Sequence, residues 1–283
     1  MTNNILDNLE VKEFEKEVHN AYQAEGNSLA PCTRYRRIAG NKTQFPILGI
    51  LGASERTIGT PVVATNQAAS SVVIETTKYS VAQWSDIFLQ GEVNFDAKQE
   101  SAKAVALAAG RKVDQIVIDA LELLDGSYTN TVGVAVGGSN TNLNVAKLAK
   151  AAGQLDINSV PDTDRIGVIH TNSHNALTQE TTVASSDYNS NRVLKDGKIA
   201  GYYGFDFKKF GNLGEENGLA LASNIRNNFF FHKSSIGLVM GMEIDVQIEY
   251  HQDYGAHLVT AFFSAGSKVI DELGISFVDT YEA

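Results

Sequence analysis

The chain has 283 residues, 43% hydrophobic and 20% charged, which is the balance of a folded protein with one large core or two modest ones. Its 23 basic and 33 acidic residues leave a formal charge of -10, which argues against a protein built to grip nucleic-acid phosphates. No apolar run approaches the ~20 residues of a membrane span, and the opening MTNNILDNLEVKEFEKEVHN carries acids where a secretion signal needs basic and then apolar residues.

Along the chain, Val11, Phe14, Val18 and Tyr22 line one side of a short helix that Gly26 ends. From Gly26 to Ser54 there is no acid, while Arg34, Arg36, Arg37 and Lys42 fall within that span as a basic arm ahead of an acidic body. The bland reading is a solvated basic loop. The sharper one is an arm lying on the acidic surface of a neighbouring subunit. The lone cysteine, Cys32, sits in this arm, excludes an intramolecular disulfide and fits a reducing cytoplasm. Pro31, Gly40 and Pro46 forbid a continuous helix, and FPILGI reads as a strand. Residues 51–70 lack a periodic core face and read as a long exposed loop containing Arg56; SVVIETTKYSVAQW is the returning strand.

A long helix is predicted over 96–124. Ala102, Val105, Ala109, Val113, Ile116, Ala120 and Leu123 keep the spacing of one face, and Val117, Leu121 and Leu124 widen it. Asp96 is placed to cap the start, with Gln99 three residues on, and Gly126 to mark the end. Such a helix spans roughly 42 Å, with Gly110 near its middle costing about 1 kcal/mol relative to Ala. NLNVAKLAKAA reads as a helix, RIGVIHT as a buried strand, NSHNALTQ as a helix and GYYGFDFKKF as a strand, together an α/β insertion. Further on, Met242, Ile244, Val246, Ile248 and Tyr250 alternate with Glu243, Asp245, Gln247 and Glu249, which predicts a strand with one buried and one wet face. HLVTAFFSAGSKVI and GISFVDTYEA follow as strands expected to complete the sheet that the long helix crosses.

Catalytic patterns are imitated rather than present. His170 and His174 have a metal-ligand spacing but lack the intervening glutamate of a metalloprotease helix, and a structural role outweighs a metal-dependent hydrolase. GVAVGGSN lacks the lysine ending of a phosphate loop, no nucleophile elbow occurs, and Cys32 has no local base. Asp114 and Asp119 project from the long helix as solvated or interface groups rather than as an acid-base pair. Neither a metal nor a cofactor is called for.

The order of these segments resembles the major capsid proteins of tailed double-stranded DNA bacteriophages, with the α+β Hong Kong 97-type fold, and is most similar to those of short-tailed phages. The resemblance covers nearly the whole chain. FPILG resembles the entry to the family's extended loop, ALAAGRKVDQIVIDAL its spine helix, VLKDGKIAGYYGFDF its turn into a central strand, and HKSSIGLVMGMEIDVQIEYHQDYGAHLVTAFFSAGSKVI its closing strands. It implies an N-terminal arm over 1–40, an extended loop over 41–80, a peripheral domain from 81–127 and 226–283, and an axial domain over 128–225. It also implies a virion protein assembled in the bacterial cytoplasm into pentamers and hexamers, with a portal and possible decoration protein as partners and packaged DNA nearby. An acidic interior would hold that DNA without adhesion. Candidate contacts between subunits are Arg34, Arg36, Arg37, Lys42, Arg56, Asp114, Asp119, Glu243, Asp245 and Glu249. Residues 51–77 contain no lysine, so a shell without covalent crosslinks is expected. About 40 residues precede FPILG, which favours a separate scaffolding protein. An encapsulin-type nanocompartment shell is the structural alternative.

Overall fold

The computed structural model describes residues 25–53, 55, 57–59, 61, 64, 66–88, 96–124, 130–180, 183, 201–212 and 218–282. The short helix predicted around Val11 to Tyr22, Arg56, Gly126 and the 193–200 part of VLKDGKIAGYYGFDF lie outside them.

The long helix, α1, runs Ala97–Glu122, 26 residues and about 39 Å. The Asp96 carboxylate accepts from the N–H groups of Lys98 and Gln99 at 3.1 and 3.4 Å, pairing two donors that a helix start leaves open. Val105, Ala109, Val113, Ile116, Val117, Ala120 and Leu121 are buried as the periodicity requires. Leu123 departs from it: it lies past the last helical turn and is 84% exposed. Asp114, Gln115 and Ile118 are buried as well, because a second side of the helix is covered by Leu29, Ala30 and Cys32, which join the same apolar cluster.

The first sheet has the order β1-β11-β12-β4, made of β1 Arg34–Arg37, β4 Thr77–Asp86, β11 Ile236–His251 and β12 Ala256–Val269. β1 runs parallel to β11, and the other pairs are antiparallel. A second, two-stranded hairpin joins β2 Lys42–Leu48 to β3 Ala69–Glu75. The stretch read as one returning strand is therefore two. The chain leaves the hairpin at Thr76, whose N–H donates to the Asn41 carbonyl, and starts afresh on the main sheet.

The alternation over Met242 to Tyr250 is also corrected. Ile244 and Val246 pack against the α1 cluster, but Met242, Ile248 and Tyr250 are 41%, 45% and 48% exposed. Register shifts on both sides of Met242 interrupt the pleat, and the packed cluster stops at Val246. The clean alternation of polarity thus overstates burial at the hairpin end.

The third sheet has the order β5-β13-β10-β6-β8-β7, with β9 also paired to β10. Its strands are β5 Thr131–Val132, β6 Arg165–His170, β7 Gly201–Tyr202, β8 Phe205–Phe210, β9 Leu221–Ala222, β10 Ile225–His232 and β13 Ile275–Tyr281. The run read as the single strand GYYGFDFKKF is a hairpin, turning through Tyr203 and Gly204 with φ of 52° and 78°. Helices α2, Val145–Ile157, and α3, Thr171–Gln179, cover one face. Asn144 caps α2, accepting from the Lys147 N–H at 2.8 Å.

β10 explains the consecutive phenylalanines of the sequence. Phe229 and Phe231 enter the α1 cluster, whereas Phe230 enters the cluster made with α2 and α3. A strand buried on both faces has no polar alternation to show. The expectation that everything after 226 builds the sheet beside the long helix is corrected accordingly: β11 and β12 do so, but β10 and β13 pair within the seven-stranded sheet.

Candidate functional site

The residues that imitate an active site are used internally. His170 ends β6 and caps α3, its Nδ1 accepting from the Asn172 N–H at 3.2 Å and its Nε2 lying 2.9 Å from Asn212 Oδ1. Both ring nitrogens are thus engaged, and Nδ1 also lies 3.3 Å from Glu282 Oε1. Burial, then the nearby Arg226 guanidinium, hold its pKa below the usual histidine value against the opposing pull of Glu282. Glu282 takes a two-pronged contact from Arg226, Nε to Oε1 at 3.0 Å and Nη2 to Oε2 at 3.2 Å. Burial pushes its carboxyl up, but the Arg226 and Asn172 hydrogen bonds outweigh that and leave the pKa below the ordinary value. His174 is buried two residues beyond Asn172 on α3. Among the described residues no group of three or more His, Cys, Asp or Glu is placed to hold a metal.

The glycine-rich segment closes on itself. Gly137 and Gly138 have φ of 84° and 147°, and the Thr141 hydroxyl, with one proton to share, lies 2.9 and 2.8 Å from the carbonyl oxygens of Val134 and Val136. Lys147, fully buried, braces this turn by donating from Nζ to the Thr141 and Asp279 carbonyls at 2.6 and 2.8 Å. Burial pushes its pKa down to about 8. Sequence reasoning missed this lysine, although a signal existed: Lys147 is four residues before Ala151 and eight before Leu155, on the apolar stripe of α2. Cys32 is buried, and burial raises its thiol pKa, so it is a core group rather than a nucleophile.

Asp114 does not face outward. Its side chain accepts from the Ser28 N–H at 3.0 Å, the Ser28 hydroxyl at 3.1 Å and the Leu29 N–H at 2.8 Å, and only 4% of the residue is exposed. The expectation of a surface or interface carboxylate is corrected there, because residues 26–32 lie across α1. The crossing is close: the Asn27 N–H donates to the Gly110 carbonyl at 3.0 Å, and a Cβ on Gly26 would come within 1.9 Å of the Gly110 carbonyl carbon. Asp119 is half-buried and accepts from Gln115 Nε2 at 2.7 Å.

The remaining candidates lie on exposed strands. Arg34, Arg36 and Arg37 are exposed along β1. Arg34 sits 5.2 Å over the Phe45 ring, Arg37 pairs with Glu243 at 3.2 Å, and Lys42 pairs with Glu75 across the hairpin. Asp245 accepts from Gln247 at 2.8 Å, and Glu249 is exposed near the far end of β11. Exposed pairs of this kind contribute about 0–1 kcal/mol to folding, so these charges are available for other surfaces. Between the 27–31 segment and the paired strands β1 and β11 lies a groove of about 390 Å³ lined by Asn27, Ala30, Pro31, Tyr35, Met240, Glu243 and Ile244. It is open and mostly apolar, and its titratable lining groups are Tyr35 and Glu243, the Tyr35 hydroxyl donating to Glu243 at 3.4 Å.

Residues 6–282 match the model of a family described as phage capsid protein. No curated protein sequence matches the chain. Among solved structures, the capsid of cyanophage P-SCSP1u is similar at a TM-score of 0.75 and 20% identity, over 100% of this chain and 97% of that one. The head structure of Helicobacter pylori bacteriophage KHP40 is similar at 0.75 and 14% identity, over 98% of each chain. A Mycobacterium phage Che8 structure gives 0.71 and 15%, again over 98% of each.

Proposed function

The chain belongs to the phage capsid protein family, and we propose that it is the major capsid protein of a tailed phage, assembling through pentamers and hexamers into an icosahedral head around double-stranded DNA. The observation that carries this reading is the extent of the match, 6–282 in the family and end to end in the fold. The architecture is the α+β Hong Kong 97-type. A shell subunit works through surfaces repeated on every copy, and closed point-group symmetry turns one such contact into a ring.

In this reading the β2–β3 hairpin and its connecting loop form the extended loop, and α1 with the four-stranded sheet forms the peripheral unit. The seven-stranded sheet with α2 and α3 forms the axial unit, recruiting β10 and β13 from the C-terminal third. The protein is a virion component, assembled in the host cytoplasm with a separate scaffolding protein and a portal, and with a decoration protein where the head carries one. Electron microscopy of the expressed protein, with its scaffold where needed, tests the proposal. Closed shells or capsomers are expected; a protein that stays strictly monomeric under all such conditions overturns it.

A further inference from the structure

Among the described residues, the face of the four-stranded sheet that points away from α1 is covered over only half its length. At one end Phe45 and Ile74 of the hairpin pack on Val239 and Ile270. The contact is close enough that a Cβ on Gly266 would lie 2.0 Å from the Glu75 carbonyl oxygen. At the other end the strand register sets Glu249, Leu258 and Trp84 in one row and Asp245, Phe262 and Ser80 in another. These rows face away from α1, because their alternating neighbours Val259, Ala261 and Phe263 are buried in its cluster. Trp84 is 48% and Phe262 41% exposed, and Tyr254 at the turn, 70% exposed, lies with its ring 4.9 Å from Trp84. The bare half is thus an apolar strip bordered by the carboxylates of Asp245 and Glu249.

The covered half ends in charges of the opposite sign. Arg34 and Arg36 pair in register with Gly237 and Val239, exposed on the edge strand β1, in a stretch of 29 residues from 26 to 54 that holds no acid. Each molecule therefore carries an acidic, aromatic patch at one end of a sheet face and a basic edge at the other. The acidic patch repels its own duplicate, so two copies meeting patch to patch are disfavoured, while head-to-tail contact pairs unlike charges.

We propose that the bare half-face is the docking surface for a second copy of the chain, whose Arg34 and Arg36 edge meets Asp245 and Glu249 while Trp84, Leu258 and Phe262 are withdrawn from water. This rests on the shell reading and adds to it the face used and its polarity. Buried aromatic side chains ringed by charge are the arrangement from which protein interfaces draw most of their energy. A contact between two different patches is heterologous, and repeats around a ring.

Trp84 is the only tryptophan in the chain, so its emission reports on this face alone. Assembly of dissociated subunits into shells is expected to shift that emission to the blue and to protect it from acrylamide. Shells in which Trp84 is as quenchable as in free subunits overturn the docking surface and leave the shell reading standing, whereas failure to assemble under any condition removes the shell reading itself. Protection that a different protein gives to dissociated subunits before any shell forms also overturns a second copy as the occupant. Reversing the acidic side (Asp245→Arg with Glu249→Arg) or the basic side (Arg34→Glu with Arg36→Glu) is expected to lower shell yield by roughly tenfold or more, and combining all four to restore it. No restoration, with melting and circular dichroism unchanged in every variant, overturns the pairing.

Discussion

Asp114 is a carboxylate that works by holding a neighbouring segment rather than by meeting solvent. Asp114→Ala leaves the Ser28 and Leu29 N–H groups without their acceptor, a loss of about 1–3 kcal/mol for a buried donor. A lower melting temperature and faster amide exchange over residues 26–32 are expected; a variant that changes neither would show that the clasp contributes nothing. Acid acts on this site and on His170 in opposite senses. Burial holds the Asp114 pKa above the ordinary 3.8, so the folded state takes up its proton first, and the cost of a buried charge is relieved as pH falls through the folded value. His170 and Glu282 both have folded pKa values below the ordinary 6.5 and 4.5, so their contributions are present above those values and are lost as pH falls through the folded ones. The subunit melting temperature is expected to fall on acidification from neutral pH, and His170→Gln to remove the part of the fall that begins below 6.5. A variant with the same profile as the parent would rule out His170 as its source.

At the scale of elements, legibility followed exposure. The long helix was readable because one face alternates with polar residues, and its cap at Asp96 stands where the side chain type put it. Its second covered side was not, since Leu29, Ala30 and Cys32 come from a segment with no periodicity of its own. Likewise the break at Thr76 is invisible in a run of β-branched residues, because both strands want the same residue types and only the sheet to which each one pairs differs. The hairpin is held to the body by a small separate cluster in which Phe45 and Ile74 are each 2% exposed. Phe45→Ala, a change costing about 3–5 kcal/mol in a packed core, should therefore act locally. Limited proteolysis is expected to cut the hairpin and its loop while α1 and the two larger sheets stay protected; loss of the whole fold in one step would show that the hairpin is not an independent unit.

For the whole molecule, composition and segment order pointed to the architecture, while the site was legible only in part. The exposed arginines of β1 and acids of β11 were named from charge alone, but charge does not reveal which carboxylate is outward, and Asp114 turned inward. Partners in a homo-oligomer also leave no mark in one chain's periodicity, since a face buried against another copy looks polar-and-apolar mixed in both. A covalent bond between copies through a loop lysine needs a free amine on the projecting hairpin. Residues 51–77 contain none. Of the two flanking lysines, Lys42 is paired with Glu75 at the hairpin base, and Lys78 lies on β4 beyond the break at Thr76. Shells boiled in detergent and run on a denaturing gel are therefore expected to give a single band at the mass of the monomer, and a ladder of covalent oligomers would show that one of the remaining lysines is brought to an acceptor on a neighbouring copy.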